Sequence, residues 1–265
     1  MKSIKVQCPA KINLNLKVTG KRDDGFHNIE SVMQTISLYD YLSISMIESE
    51  KNIISLSGNS SEIPYDERNL VYKAAKMFLD EKVKAPKKIV IYIEKNIPVS
   101  AGLAGGSTDA AGTLYGLNKL NDDILSDTEL HEMASRLGSD LNVCLKGGCL
   151  MCTGRGEKIS QRLYNECDVS LIKPVNLGIS AKEAYTKFSE KHAHSDDGRS
   201  DYVNDLEWAV IEDYEPLRYI KEKYPSAVMT GSGSTYFSLE EDFEPENGFW
   251  VKNCILTTTE GVKHI

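Results

Sequence analysis

The residues of this chain best suited to chemistry run Pro98-Val99-Ser100-Ala101-Gly102-Leu103-Ala104-Gly105-Gly106-Ser107-Thr108. Three glycines and two alanines fall within the six residues from Ala101 to Gly106. Side chains this small leave backbone N–H groups uncovered, so a bulky anion can reach them. A helix predicted from about 107 to 117, capped by Ser107 or Thr108, aims its first amides and its dipole at the same spot. That is the equipment of a phosphate cradle, and a simple tight turn needs fewer glycines. The spacing is neither the G-x-x-x-x-G-K-S/T of a P-loop nor the G-x-G-x-x-G of a dinucleotide site. A second run of small residues, Met229-Thr230-Gly231-Ser232-Gly233-Ser234-Thr235, lies between two apolar segments. Alone it reads as a strand–turn–strand connection; together the two loops point to phosphates held from both sides.

Acid–base candidates are fewer. Lys11 stands in Cys8-Pro9-Ala10-Lys11-Ile12-Asn13-Leu14 and shares its alternation parity with Asn13 and Asn15, opposite Ile12, Leu14 and Leu16. By itself such a lysine reads as a solvent-facing side chain on an edge strand. Asp140 follows Gly138, which stops a helix, and precedes the apolar run 141–145. A carboxylate there serves as an N-cap or as a buried charge partner. Cys149-Leu150-Met151-Cys152, with Cys144 nearby, has the spacing of half a zinc site, but no second ligand pair exists, so no metal site is expected from them. The six cysteines read as small hydrophobes in a reducing compartment.

These residues need elements to hold them. Alternation predicts strands at 4–7, 12–18, 33–38, 40–46, 52–56 and 88–93, and a helix over 69–79. Ser126-Asp127-Thr128-Glu129 is a capping box that opens another helix, and 145–153 reads as a strand. Beyond Gly156 the pattern gives strands at 167–172, 227–229, 235–239 and 250–256. Helices are predicted at 181–191 and 205–224, with a polar stretch at 192–200 between them. The class is α+β in two halves, 1–160 and 161–265. With 31 basic and 39 acidic residues among 265, the net charge is −8, which disfavours nucleic-acid and anionic-membrane partners. No run approaches the roughly 20 apolar residues of a membrane span, so the expectation is a cytoplasmic globular protein.

The ordered set Pro9-Ala10-Lys11-Ile12-Asn13-Leu14, Asp24-Gly25-Phe26-His27, the loop 98–108, Gly138-Ser139-Asp140 and Thr230–Thr235 resembles the GHMP kinases over nearly the whole chain. The resemblance implies an N-terminal ATP-binding domain like ribosomal protein S5 domain 2 (1–160) and a ferredoxin-like C-terminal domain (161–265), with the active site between them. The first two segments resemble the members that use ATP to phosphorylate a small-molecule substrate, 4-diphosphocytidyl-2-C-methyl-D-erythritol. On that resemblance Lys11 and Asp140 are the catalytic pair, and 98–108 wraps ATP phosphates bridged by Mg²⁺. Asn69 and Lys95 line the adenine and ribose pocket, while Asn13, Phe26, His27 and Tyr185 hold the cytidine-diphosphate end. A monomer or weak homodimer is expected.

Two other readings follow from the same motifs: a GHMP kinase acting on homoserine, mevalonate or a sugar, and a nucleotide-binding regulator without turnover. The Asp24–His27 segment argues against the first, since only a nucleotide substrate needs a base clamp. Keeping both Lys11 and Asp140 argues against the second. The chain departs from the resemblance at three places. Phe26 replaces a tyrosine, Leu141-Asn142-Val143 replaces Val/Ile-Pro-Phe after the aspartate, and the region from 192 on is shorter.

Overall fold

Val6, Cys8, Ala10 and Ile12 alternate along the first strand and are all fully buried, which is what a half-buried strand requires. In the computed structural model, which describes residues 1–265, they lie on β1 (Lys2–Asn13). The predicted strand 12–18 does not continue: Asn15 accepts the Val32 N–H with its side-chain oxygen and breaks the ladder. Pairing resumes as β2 (Lys17–Lys21). The two strands predicted at 33–38 and 40–46 are one, β3 (His27–Glu48), paired in turn with β2, β1 and later strands. Its register against β1 shifts between Pro9 and Ala10, where proline has no N–H to give the ladder.

β4 (Ile53–Gly58), α1 (Leu70–Lys82) and β5 (Lys87–Glu94) follow, with β4 parallel to β5. α2 (Gly105–Leu120) buries Ala110, Ala111, Leu114 and Leu117 against the sheet. The capping box at Ser126 and Glu129 forms as predicted and starts α3 (Asp127–Leu137). The strand predicted over 145–153 is shorter: α4 (Leu141–Lys146) takes its first residues, and Gly147 and Gly148 make the turn into β6 (Cys149–Thr153). β7 (Lys158–Gln161) pairs with β6.

In the second half, β8 (Asp168–Pro174) is followed by α5 (Ala181–His194), which runs three residues past its predicted end. The helix predicted over 205–224 is split into α6 (Asp205–Val210), a 3-10 turn and α7 (Glu215–Lys223). Pro216 in the first turn of α7 lacks the N–H a continuous helix would use there. β9 (Val228–Met229), β10 (Tyr236–Ser238), β11 (Phe249–Leu256) and β12 (Lys263–His264) complete the chain.

The first sheet runs β12-β1-β3-β5-β4, with β2 and β6 on β3 and β7 on β6; the second runs β11-β8-β10-β9. A buried cluster of 25 residues fills the space between the first sheet and α1, α2 and α3. Two further clusters draw on both halves: Val18, Met33 and Leu150 pack with Phe188, Trp208 and Tyr236, and Ile12 and Ile36 pack with Leu171 and Phe237. The α+β architecture thus fastens one half to the other around a cleft. No helix is long and apolar enough to cross a membrane.

Candidate active site

The glycine-rich loop and the start of α2 form one wall of a cleft of about 1190 Å³. Ser100, Gly102 and Ala104 all take left-handed backbone conformations, with φ of 50°, 73° and 60°. Such alternation turns successive N–H groups toward one point. The helix starts at Gly105 and not at Ser107, and Ala104 occupies the cap position with no side-chain bond. Its first internal bond is Thr108 N–H to the Ala104 carbonyl; the N–H groups of Gly105, Gly106 and Ser107 have no acceptor in the chain. A serine or threonine cap would have taken one of these amides. Residues 98–102 and 104–107 line the cleft. Leu103 and Thr108 do not: both side chains are buried, Leu103 in the cluster shared by the two halves.

Lys11 is 3% exposed, so the edge-strand reading is corrected. Its backbone N–H donates to the Leu103 carbonyl at 3.2 Å, pinning the loop to β1. Its ammonium donates to Asn13 Oδ1 at 2.6 Å and to the Gly102 carbonyl at 3.0 Å, and lies 3.5 Å from Asp140 Oδ2. Two of its three N–H donors are engaged in hydrogen bonds, which fixes the direction of the charge and leaves one donor. Asp140 holds the N-cap position of α4 without making a side-chain cap bond, so its oxygens stay available, and 28% of its side chain is exposed. Asn13 supports Lys11: its amide nitrogen donates to Ser31 Oγ at 2.8 Å, so both ends of its side chain are engaged. The second small-residue loop closes over this pair. Thr230 Oγ1 accepts the Asn13 N–H at 2.9 Å, and Gly231 and Ser232 line the cleft.

Asn69 and Lys95 also line the cleft, with their polar atoms partly committed. Asn69 caps α1 through Val71 N–H and donates to the Pro64 carbonyl. The Lys95 ammonium is bound to Asp40 and lies 2.9 Å from Asp109 Oδ2. Burial pulls Lys95 down, yet the two carboxylates outweigh it and hold the ammonium above its usual range. Burial pushes the Asp109 carboxyl up to about 7, Lys95 opposes it, and Asp40 adds to it. Asp109 Oδ1 has no partner in the chain. This cluster was not read from the sequence; a carboxylate inside the small-residue helix at Thr108-Asp109-Ala110-Ala111, and another inside an apolar strand, were the available signals.

At the other end, His27 stacks on Tyr185 with centroids 5.1 Å apart and planes 14° off parallel, and His27 Nε2 lies 2.9 Å from Ser189 Oγ. Burial, with Lys21 nearby, holds the imidazole below its ordinary range, and burial raises the Tyr185 hydroxyl. Phe26 is half exposed under the Arg155 guanidinium, 4.8 Å from its ring centroid. Arg155, Lys21 and Lys182 add cations to this end of the cleft, and none was singled out from the sequence. Burial, with the Asp140 charge beside it, pushes the thiols of Cys144 and Cys152 up to about 12.

A family model described as the GHMP kinases N-terminal domain matches residues 69–148. A 4-diphosphocytidyl-2-C-methyl-D-erythritol kinase of Clostridium beijerinckii is 41% identical, covering 90% of this chain and 91% of the relative. One of Bacillus velezensis is 39% identical over 88% and 86%. A crystal structure of a 4-(cytidine 5'-diphospho)-2C-methyl-D-erythritol kinase superposes with a TM-score of 0.74 at 25% identity, covering 96% of this chain and all of that one. A homoserine kinase from Cytophaga hutchinsonii, with a TM-score of 0.73 at 16% identity, covers 100% of this chain and 98% of its own and shares the fold.

Proposed function

Because this chain belongs to the 4-diphosphocytidyl-2-C-methyl-D-erythritol kinases, a family of GHMP kinases, we propose that its cleft carries the γ-phosphoryl group of ATP to the 2-hydroxyl of that substrate, with Lys11 and Asp140 at the point of transfer. This is a step of the non-mevalonate route to isoprenoids. One observation carries the site assignment: the Lys11 ammonium bridges the Gly102 carbonyl of the glycine-rich loop and the Asp140 carboxylate, in the same cleft as His27 and Tyr185.

Phosphoryl transfer depends mostly on positioning and charge neutralisation. Gly105, Gly106 and Ser107 offer unpaired amides at a helix start, a fit for nucleotide phosphates. ATP supplies the group transferred, and Mg²⁺ offsets the charge of its phosphates. Mg²⁺ bound through phosphates needs only one or two protein oxygens, and the Ser107 hydroxyl is a hard oxygen donor lining the cleft that could hold it. Asp140 accepts the proton of the acceptor hydroxyl, or orients it, and Lys11 holds that oxygen and the carboxylate together. Asn69 and Leu70 line the nucleotide base end. Phe26, His27 and Tyr185 form the cytidine end, where neutral imidazole can both donate and accept a hydrogen bond. Arg155, Lys21 and Lys182 match a diphosphate in charge. The same reading has the protein act in the cytoplasm as a monomer or weak homodimer.

The test is ADP release with Mg-ATP and 4-diphosphocytidyl-2-C-methyl-D-erythritol, with mevalonate, homoserine and galactose run beside it. Turnover is expected with the cytidyl acceptor alone. Asp140→Asn should lower kcat by about 10²–10⁴-fold while ATP affinity stays within a few-fold. A large loss of ATP affinity would make the aspartate a structural residue, and ATP binding without turnover on any acceptor would make the protein a regulator.

A further inference from the structure

Asp140 has no side-chain cap bond, and the helix it precedes has six residues. A helix this short holds its shape through tertiary contacts and not through its own hydrogen bonds. The direction of the carboxylate therefore depends on whatever fixes the first turn of α4. Asn142, in that turn, is 5% exposed and makes three bonds to two other segments. Its amide nitrogen donates to Ser135 Oγ of α3 at 3.0 Å and to the Glu157 carbonyl in the β6–β7 turn at 3.0 Å. Its carbonyl oxygen accepts from His131 Nδ1 of α3 at 3.0 Å. Ser135 in turn donates to the His131 carbonyl at 2.7 Å, so the hydroxyl is aimed and its lone pair faces Asn142. The β6–β7 turn also carries Arg155, whose backbone N–H donates to Glu157 Oε2 and whose guanidinium reaches the Ser135 carbonyl.

We propose that Asn142 is a positioning residue for Asp140: its side chain clamps the first turn of α4 to α3 and to the β6–β7 turn, and thereby sets the carboxylate against Lys11. The inference rests on the reading of Asp140 as the group at the point of transfer. Asn142 lies outside the catalytic cleft and lines a separate cavity of about 590 Å³ beside His131, Ser135 and Lys146. It therefore acts on the reaction only through Asp140 and the turn bearing Arg155.

Three variants test this in the intact protein. Asn142→Ala removes the clamp; kcat is expected to fall about 10–100-fold, the scale of a misplaced catalytic group, with the KM for ATP changed less than about twofold. Asn142→Pro removes the same hydrogen bonds but stiffens the backbone of the first turn, where proline needs no N–H acceptor, as Pro216 does in α7. It should recover most of the lost kcat, which no purely structural use of the side chain predicts. Folded Asn142→Ala with unchanged kcat, or folded Asn142→Pro as slow as Asn142→Ala, overturns the proposal. Should Asn142→Ala fail to fold, Ser135→Ala deletes one arm of the clamp; a lowered kcat at unchanged KM for ATP supports the proposal and full kcat overturns it. Wild-type protein that turns over no acceptor would instead refute the functional reading, an outcome visible before any variant is made.

Discussion

An ammonium shared by one carboxylate, one side-chain amide and one backbone carbonyl cannot swing away as a surface lysine does, and that is the condition of Lys11. Its strand parity with Asn13 was legible in the sequence. That the polar face looks into a cleft and not into water was not, because the residues that cover it, Gly102 and Gly231, lie about 90 and 220 positions away. Asp109 was equally hidden, and it carries a prediction of its own. Burial, with Asp40 adding and Lys95 opposing, pushes its carboxyl up from 3.8 to about 7 in the folded chain. Sign follows from linkage: a group whose folded pKa is raised contributes stability in full below its unfolded pKa and loses it as pH climbs through the folded one. Asparagine at 109 has no such dependence. The Tm of Asp109→Asn should therefore gain on that of wild type between about pH 4 and about pH 8. Thermal melts across that range check it; parallel curves would mean that Lys95 keeps Asp109 ionised throughout.

At the scale of elements, the glycine-rich loop is fixed because two loops from opposite halves touch through backbone. Gly102 has φ of +73°, and a Cβ there would sit 2.1 Å from the Thr230 carbonyl oxygen. Nothing flexible can yield, since both partners are main chain. Gly102→Ala should cost about 2–3 kcal/mol, adding a strained φ to a clash, which for a chain of this size lowers Tm by roughly 4–12 °C. Gly106→Ala is the control: its Cβ would meet only Leu70 Cδ1, at 3.9 Å, and alanine favours the helix, so Tm should hold or rise. Differential scanning calorimetry of the pair checks both, and equal losses would put the contact with Thr230 in doubt. The composition of this loop predicts uncovered backbone amides, and those of Gly105, Gly106 and Ser107 have no acceptor in the chain. Its helix start was misplaced by two residues because the usual capping signal is absent, the amides being left free by a left-handed Ala104. The strands predicted at 33–38 and 40–46 are continuous through Asp40, which is buried in the strand and satisfied by Lys95 and by the N–H groups of Asn96 and Ile97.

Taken whole, the molecule fastens its two halves on every side of the cleft. All three apolar clusters mix residues from before and after position 160, the first through Val262, β12 returns from the far end of the chain to pair with β1, and Thr230 holds the end of β1 by the Asn13 N–H. The sequence supported a division near 160 by its change of pattern, and it could not show this sharing, because each strand buries its apolar face whichever partner covers it. Separating the halves would expose Val18, Met33 and Leu150 from one and Phe188, Trp208 and Tyr236 from the other, all of them buried in the intact chain. Burial of that apolar surface is the main favourable term in folding, so neither half should hold its native structure alone. The two tryptophans, Trp208 and Trp250, both lie in the second half, which makes the point measurable without cutting the chain. Tryptophan fluorescence follows the second half, while far-ultraviolet circular dichroism follows both. In urea the two signals should share one midpoint, the mark of a single cooperative unit. A fluorescence transition that precedes or trails the dichroism would mean that the halves unfold separately, and that the alignment of Lys11 with Gly231 is kept by the cleft loops alone.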